Sequence, residues 1–191
     1  QNPDLLWKNA RHNDYGDWLN ADTLKLEGWP AKGAEVPKDV FATMFFFRST
    51  QIVAQMAAVL GKTKEAAKYG TLASGIREAF NKAYVKPDGR IEGDTQAGYA
   101  IALNFDLLPE ALQSKAASYM VERFTPYGGQ ISTGFHSTVH LHVRVRGLFA
   151  VDSQGQAGEE RVGHCALVEH GQRAGGAADA HARAHVLDHE A

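Results

Sequence analysis

The chain has 191 residues, 44% of them hydrophobic, and a formal net charge of -2: enough apolar material for a sizeable core, and no basic field to meet a phosphate backbone. Nucleic acid is therefore not an expected partner, and neither is a membrane, because no apolar run approaches the roughly 18 residues that span a bilayer. The single cysteine, Cys165, allows no internal disulfide and no multi-cysteine zinc site, so neither oxidation nor a structural metal is expected to hold the fold.

No signal-peptide pattern opens the chain, and its first residue is Gln, which reads as a truncation point; the compartment stays open. Residues 1–36 have the composition of a loop, with Asn, Asp, Gly and Pro scattered among aromatics, and all three tryptophans (Trp7, Trp18 and Trp29) lie there. An aromatic-rich loop of this length on a rigid scaffold is a candidate ligand-facing wall. A first long helix is predicted from Lys38 to Leu60, opened by Pro37 and Asp39 and closed by Gly61. Its apolar residues, Val40, Phe41, Met44, Phe45, Ile52, Val53, Met56, Val59 and Leu60, recur every three or four positions, and Phe46 and Phe47 make the first half apolar nearly all round. Such a helix should be covered on more than one side.

The second helix is predicted from Thr63, as N-cap, to about Tyr84, with one stripe of Ala66, Ala67, Leu72, Ile76, Ala79 and Phe80 opposite a charged face. The short Gly61-Lys62 link makes the two an antiparallel hairpin, the second helix lying outside the first. After a turn at Pro87-Asp88-Gly89, Asp94 or Thr95 is positioned to cap a third helix whose run Ala97-Gly98-Tyr99-Ala100-Ile101-Ala102-Leu103 is small and apolar, hence an inner helix again. Pro109 starts a fourth, amphipathic one, and Tyr127-Gly128-Gly129-Gln130 turns the chain into a fifth over Ile131 to Leu141. The order is inner, outer, inner, outer.

Beyond about Leu141 the text changes character. There is no lysine after Lys115, no isoleucine after Ile131 and no asparagine after Asn104, while histidines crowd in with Ala, Gly and Arg. Residues 142–191 hold too few large apolar residues to offset chain entropy and are expected to be an irregular, poorly ordered tail; an abrupt break inside a predicted helix has the look of a shifted reading frame. The domain organisation expected is thus 1–141 as one partial helical domain and 142–191 as the tail.

The stretch with the clearest chemistry is Asp14-Tyr15-Gly16-Asp17-Trp18-Leu19. A carboxylate accepts hydroxyl hydrogen bonds, and an indole face packs on the apolar side of a pyranose, so Asp17 and Trp18 are candidate sugar-binding residues. The competing reading makes Trp18 a core anchor and Asp17 a turn cap. His136, following Gly134 at the mouth of the fifth helix, is a lesser candidate, since capping or core packing are commoner uses of a histidine there. His140 and His142 are two apart, which splays them on a helix; no third ligand is evident and no metal site is assigned.

In order, Tyr15-Gly16-Asp17-Trp18-Leu19, the helix after Pro37-Lys38, the hairpin through Ala79-Phe80-Asn81, Gly93-Asp94-Thr95-Gln96 and Gly129-Gln130-Ile131-Ser132-Thr133-Gly134-Phe135-His136-Ser137-Thr138 resemble consecutive landmarks of the bacterial α-L-rhamnosidases, glycoside hydrolase family 78. The likeness covers about residues 10–141. It implies an all-α fold, part of an (α/α)6 barrel of six helical hairpins, here incomplete, and a family activity that removes terminal α-L-rhamnose from glycosides or polysaccharides with inversion and without a cofactor. Trp18 matches a family tryptophan that packs on the rhamnose ring. Inversion uses an acid and a base carboxylate roughly 6.5–9.5 Å apart. In the family the acid lies upstream of the Gly-Asp-Trp stretch and the base lies in a Trp-Glu-Arg-Trp motif downstream of the Thr-Gly-Phe-His-Ser-Thr helix, so no catalytic residue is assigned here and the chain alone is expected to be inactive. Glu35, Glu92, Asp94 and Glu122 are better explained as caps and solvated helix faces. Alternatives are another six-hairpin glycosidase, or a non-catalytic helical scaffold binding a protein, although the hairpins lack the self-similarity of repeats.

Overall fold

The computed structural model of the protein describes residues 3–8 and 16–142, all within one compact unit, Gln1–Arg146. The tail expected over 142–191 therefore lies outside the described residues, apart from His142. Helices α1 (Ala21–Leu24), α2 (Lys38–Val59), α3 (Thr63–Tyr84), α4 (Gln96–Asn104) and α5 (Glu110–Glu122) follow in order, then a 3-10 turn at Thr125–Tyr127 and a helical stretch at 138–142. The β structure among them is one isolated antiparallel bridge, Val85 with Ile91, which closes the turn predicted at Pro87-Asp88-Gly89.

The alternation of inner and outer helices is present. Helix α3 packs along α2, and α5 along α4. Every residue from Gln96 to Leu103 is buried, because the small side chains of α4 admit neighbours on all sides, whereas α5 buries only Ala116 and Met120. The hairpins are tied together at the turn after α4. There the Arg77 guanidinium donates to the carbonyls of Leu107 (3.2 Å) and Leu108 (3.1 Å), and Asn81 Nδ2 donates to that of Leu107 (2.8 Å). Leu107 and Leu108 themselves are fully buried.

Two local expectations are made specific and two are corrected. The N-terminal segment, read as mostly loop, contains one short helix, α1, which Asn20 caps by accepting from Asp22 N. Thr63 is the first residue of α3 and Lys62 the residue before it, with no side-chain cap. Of the two candidate caps of α4, Thr95 is the one used, accepting from Gly98 N at 2.9 Å. The fifth helix starts at 138 rather than 131; residues 131–134 take no regular structure, Ser132 N going to Gln96, Ser132 O to Ala21 N and Gly134 N to Asp17.

Helix α2 also departs from the pattern of an evenly covered inner helix. Its first half buries Val40, Phe41, Thr43, Met44 and Phe47, but Ile52, Val53, Met56, Val59 and Leu60 are exposed, Val59 to 87%. Length gives the reason. At about 1.5 Å per residue the 22 residues of α2 run about 33 Å, while the nine of α4 run about 13 Å, so the next inner helix reaches only one half. An apolar stripe left open in this way favours association in water. The chain is expected to self-associate in sedimentation velocity, and Met56→Lys with Val59→Lys to shift it toward monomer; a wild-type chain that sediments as monomer at every concentration would count against this.

Candidate functional site

Three helix starts meet at one end of the bundle. Gly93, just before α4, lies against the ring of Pro37, the residue before α2, so closely that a Cβ on Gly93 would collide with it, and its φ of +89° is one that glycine tolerates. Gln96, the first residue of α4, holds the segment that leads to the 138–142 helix, donating to Gln130 O (3.1 Å) and accepting from Ser132 N (3.0 Å). Partial positive charge from three helix N-termini therefore collects here, together with the loops that precede them.

Asp17 is at the centre of this end. Its side chain is buried to 1%, and its oxygens accept from Gly134 N (2.7 Å), Ser137 N (3.1 Å) and the Ser137 hydroxyl. The backbone adds two more links: Phe135 N donates to Trp18 O at 2.7 Å, and Ala21 N to Ser132 O at 3.1 Å. The carboxylate thus caps the start of the 138–142 helix from 117 to 120 residues away in sequence. Gly134 is enclosed by this arrangement. A Cβ there would sit 2.6 Å from Asp17 O and 2.7 Å from Asp17 Cγ, and closer still to Trp18 O.

Of the expected site residues, Asp17 serves as the cap of the competing reading, with both oxygens engaged; what it brings to a site is the placement of its neighbour. Trp18 is no core anchor, since it is 66% exposed. Beside it stands Phe135, 71% exposed, whose ring meets His136 edge-on at 5.4 Å, and His136 in turn meets Phe41 at 6.1 Å. Trp18, Phe135 and His136 therefore belong to one surface. The other tryptophans are structural: Trp7 tilts against Phe46, and Trp29 packs on Tyr127, which closes over Ala21 and Ala34.

Two features were missed. Asp22 accepts from Gly33 N, Ala34 N and Glu35 N at 2.9–3.1 Å and so closes the loop that returns to α2; the Asp is visible in the sequence but its partners, 11 to 13 residues on, are not. Asp94, held at φ +48°, takes the Tyr99 hydroxyl at 2.5 Å, Arg123 at 3.0 Å and Arg90 at 3.2 Å, and Arg90 stacks over Tyr119. Burial first, and then the bond to this carboxylate, push the Tyr99 phenol far up. Asp94 is thus an ion-pair centre rather than a solvated cap.

Beneath the surface, Phe41, Phe45, Phe105 and His140 form a ladder of tilted and edge-on rings. Asn104 Nδ2 donates to His140 Nδ1 at 2.7 Å, which leaves the ring proton on Nε2. Burial, with Arg48 nearby, holds the imidazole below its ordinary value of 6.5. His142 is exposed, and no three His, Cys, Asp or Glu side chains come together among the described residues.

Two outcomes follow from these contacts. Asp17→Asn puts an amide donor against backbone N–H groups and removes a charge-assisted cap, and should cost about 2–3 kcal/mol in urea unfolding; a variant as stable as the parent would show that the lock carries little. His140, binding its proton more weakly folded than unfolded, contributes stability that is complete above its unfolded value and lost as the pH falls from there through its lower folded value. The melting temperature should therefore drop as the pH is lowered below about 6.5 and through the folded value, and His140→Asn should flatten part of that slope. Identical slopes would remove His140 as the cause.

Residues 1–147 match the model of the bacterial alpha-L-rhamnosidase 6 hairpin glycosidase domain. The chain is 42% identical over 127 residues to an alpha-L-rhamnosidase of Streptomyces avermitilis, covering 66% of this chain and 11% of that protein. It is 31% identical over 148 residues to one of Formosa agariphila, covering 72% and 16%. The crystal structure of the Streptomyces avermitilis alpha-L-rhamnosidase complexed with L-rhamnose superposes with a TM-score of 0.62 at 40% identity, over 75% of this chain and 12% of that one. The chain thus spans less than a fifth of the length of these relatives. With the inner and outer helices read above, this makes the described fold part of an (α/α)6 barrel, and the chain belongs to the bacterial alpha-L-rhamnosidase six-hairpin glycosidase family.

Proposed function

We propose that the end of the bundle bearing Trp18 binds terminal α-L-rhamnose of a glycoside or polysaccharide, and that the chain contributes this surface to a rhamnose-releasing hydrolase working by inversion. The observation that carries the proposal is an indole 66% exposed on a backbone tied to the bundle, its carbonyl bonded to Phe135 N and its neighbour Asp17 bonded to Gly134 and Ser137. An exposed tryptophan on a mobile loop would lose affinity to ordering; a fixed one binds without that cost. Trp18 supplies the face for the pyranose, and His136 a ring nitrogen for a hydroxyl. Asp17 acts by holding the loop. The alpha-L-rhamnosidase of Streptomyces avermitilis, solved in complex with L-rhamnose, is a relative over this region.

The acid and base of the reaction are proposed to lie outside this chain. In support, the two carboxylates most firmly placed at this end are already committed, Asp17 to a helix start and Asp94 to Tyr99, Arg90 and Arg123. Glu35, near Gly16, and Glu92 are exposed and have no fixed partner across the site from them among the described contacts.

The purified chain should bind L-rhamnose in a calorimetric or fluorescence titration, weakened about tenfold by Trp18→Ala, and should release no p-nitrophenol from the aryl α-L-rhamnoside. Binding unaffected by the alanine would detach Trp18 from the sugar, and turnover would place catalytic groups within this chain.

A further inference from the structure

Gln96 is a buried amide, 1% exposed, at the first position of α4, and all three of its hydrogen bonds run to the backbone of one distant segment. Nε2 donates to Arg123 O (3.0 Å) and Gln130 O (3.1 Å), while Oε1 accepts from Ser132 N (3.0 Å). Only this orientation of the amide satisfies all three partners. The segment it grips, 123–132, leaves α5 and runs into the loop that faces Trp18. Ser132 O receives Ala21 N, two residues on Gly134 N binds Asp17, and Phe135 N binds Trp18 O. Next to it in sequence, Thr95 caps the start of α4, and Asp94 binds the side chain of Arg123, which contributes one of the gripped carbonyls.

We infer that Gln96 is a positioning residue for the sugar-binding surface: it fixes the height and register of residues 130–135 against α4, and through them the placement of Trp18, Phe135 and His136. The inference rests on the rhamnose-binding reading for its consequence but not for its geometry. A glutamine suits the task for a chemical reason. Two carbonyls and one N–H must be met by one side chain, and a single primary amide offers two donors and an acceptor at that spacing without a charge to desolvate. The same accounting explains why a residue this deeply buried in α4 is polar.

Gln96→Glu keeps the shape and the acceptor but turns the two donors into an oxygen facing two carbonyls. Protonation of that carboxyl restores one donor, so the variant has a signature that plain loss of stability lacks. Measured in the 191-residue chain, amide exchange at Gly134, Phe135 and Ser137 should speed up at neutral pH, and L-rhamnose affinity should fall about tenfold, both recovering toward wild type on acidification. The wild-type chain is titrated in parallel to subtract its own pH dependence. Phe80→Leu, a core change in α3, whose side-chain hydrogen bonds to other elements run to the turn at 107–108 and not to 123–135, serves as the stability control and should lower melting without either effect. If the glutamate variant does not fold, Gln96→Met, of like shape and uncharged, carries the exchange and affinity measurements. The inference is overturned if exchange at those amides is unchanged, or changes no more than in the Phe80→Leu chain. Loss of rhamnose binding by the wild type itself would sink the sugar reading while leaving the amide-exchange result to decide the role of Gln96.

Discussion

The interaction on which the rest depends is the capture of the Asp17 carboxylate by Gly134 N, Ser137 N and the Ser137 hydroxyl. A carboxylate buried to this degree is stable only when its lone pairs are met by fixed donors, and a helix start supplies those donors ready oriented. The bond network does two things at once. It begins a helix at 138, and it holds the otherwise irregular N-terminal loop flat against the bundle with Trp18 facing outward. Gly134 is the geometric condition for it, because the backbone of residues 17 and 18 passes where a side chain would stand.

Around this lock the remaining loops are closed by the same device, a polar side chain satisfying distant backbone groups. Asp22 closes 33–35, Gln96 grips 123–132, and Arg77 with Asn81 seals the turn at 107–108. Loops this long cannot be covered by helix ladders, and each unpaired buried N–H or C=O would cost a good part of the stability of a domain. Irregular backbone at the functional end is therefore compatible with rigidity, provided these few side chains are kept.

Much of the helical frame was legible beforehand. Apolar residues at three- and four-residue spacing, with Pro37, Gly61 and Pro109 as punctuation, located α2, α3 and α5 to within a residue or two, and the small residues of Ala97 to Leu103 marked α4 as inner. Errors fell where a distant partner overrode a local signal. Residues 131–134 have helix-compatible composition and Ser/Thr caps, yet they form no helix, Gln96 holding Ser132 N and Asp17 holding Gly134 N. Asp94 looked like a cap, and three side chains from positions 90, 99 and 123 made it an ion-pair centre instead.

The order of landmarks from Tyr15 to Thr138 sufficed, without coordinates, to point to the family and to single out Trp18, because aromatic, glycine and acid identities are written directly in the chain. Which of those residues faces outward was not. The sequence joins Asp17 and Trp18 as neighbours of equal standing; packing buries the first and exposes the second, a consequence of partners 117 and 120 residues away. Local spacing constrains a few residues on either side, whereas a buried hydrogen bond is decided by whichever donor the folded chain carries to it, and only the tertiary structure fixes that meeting.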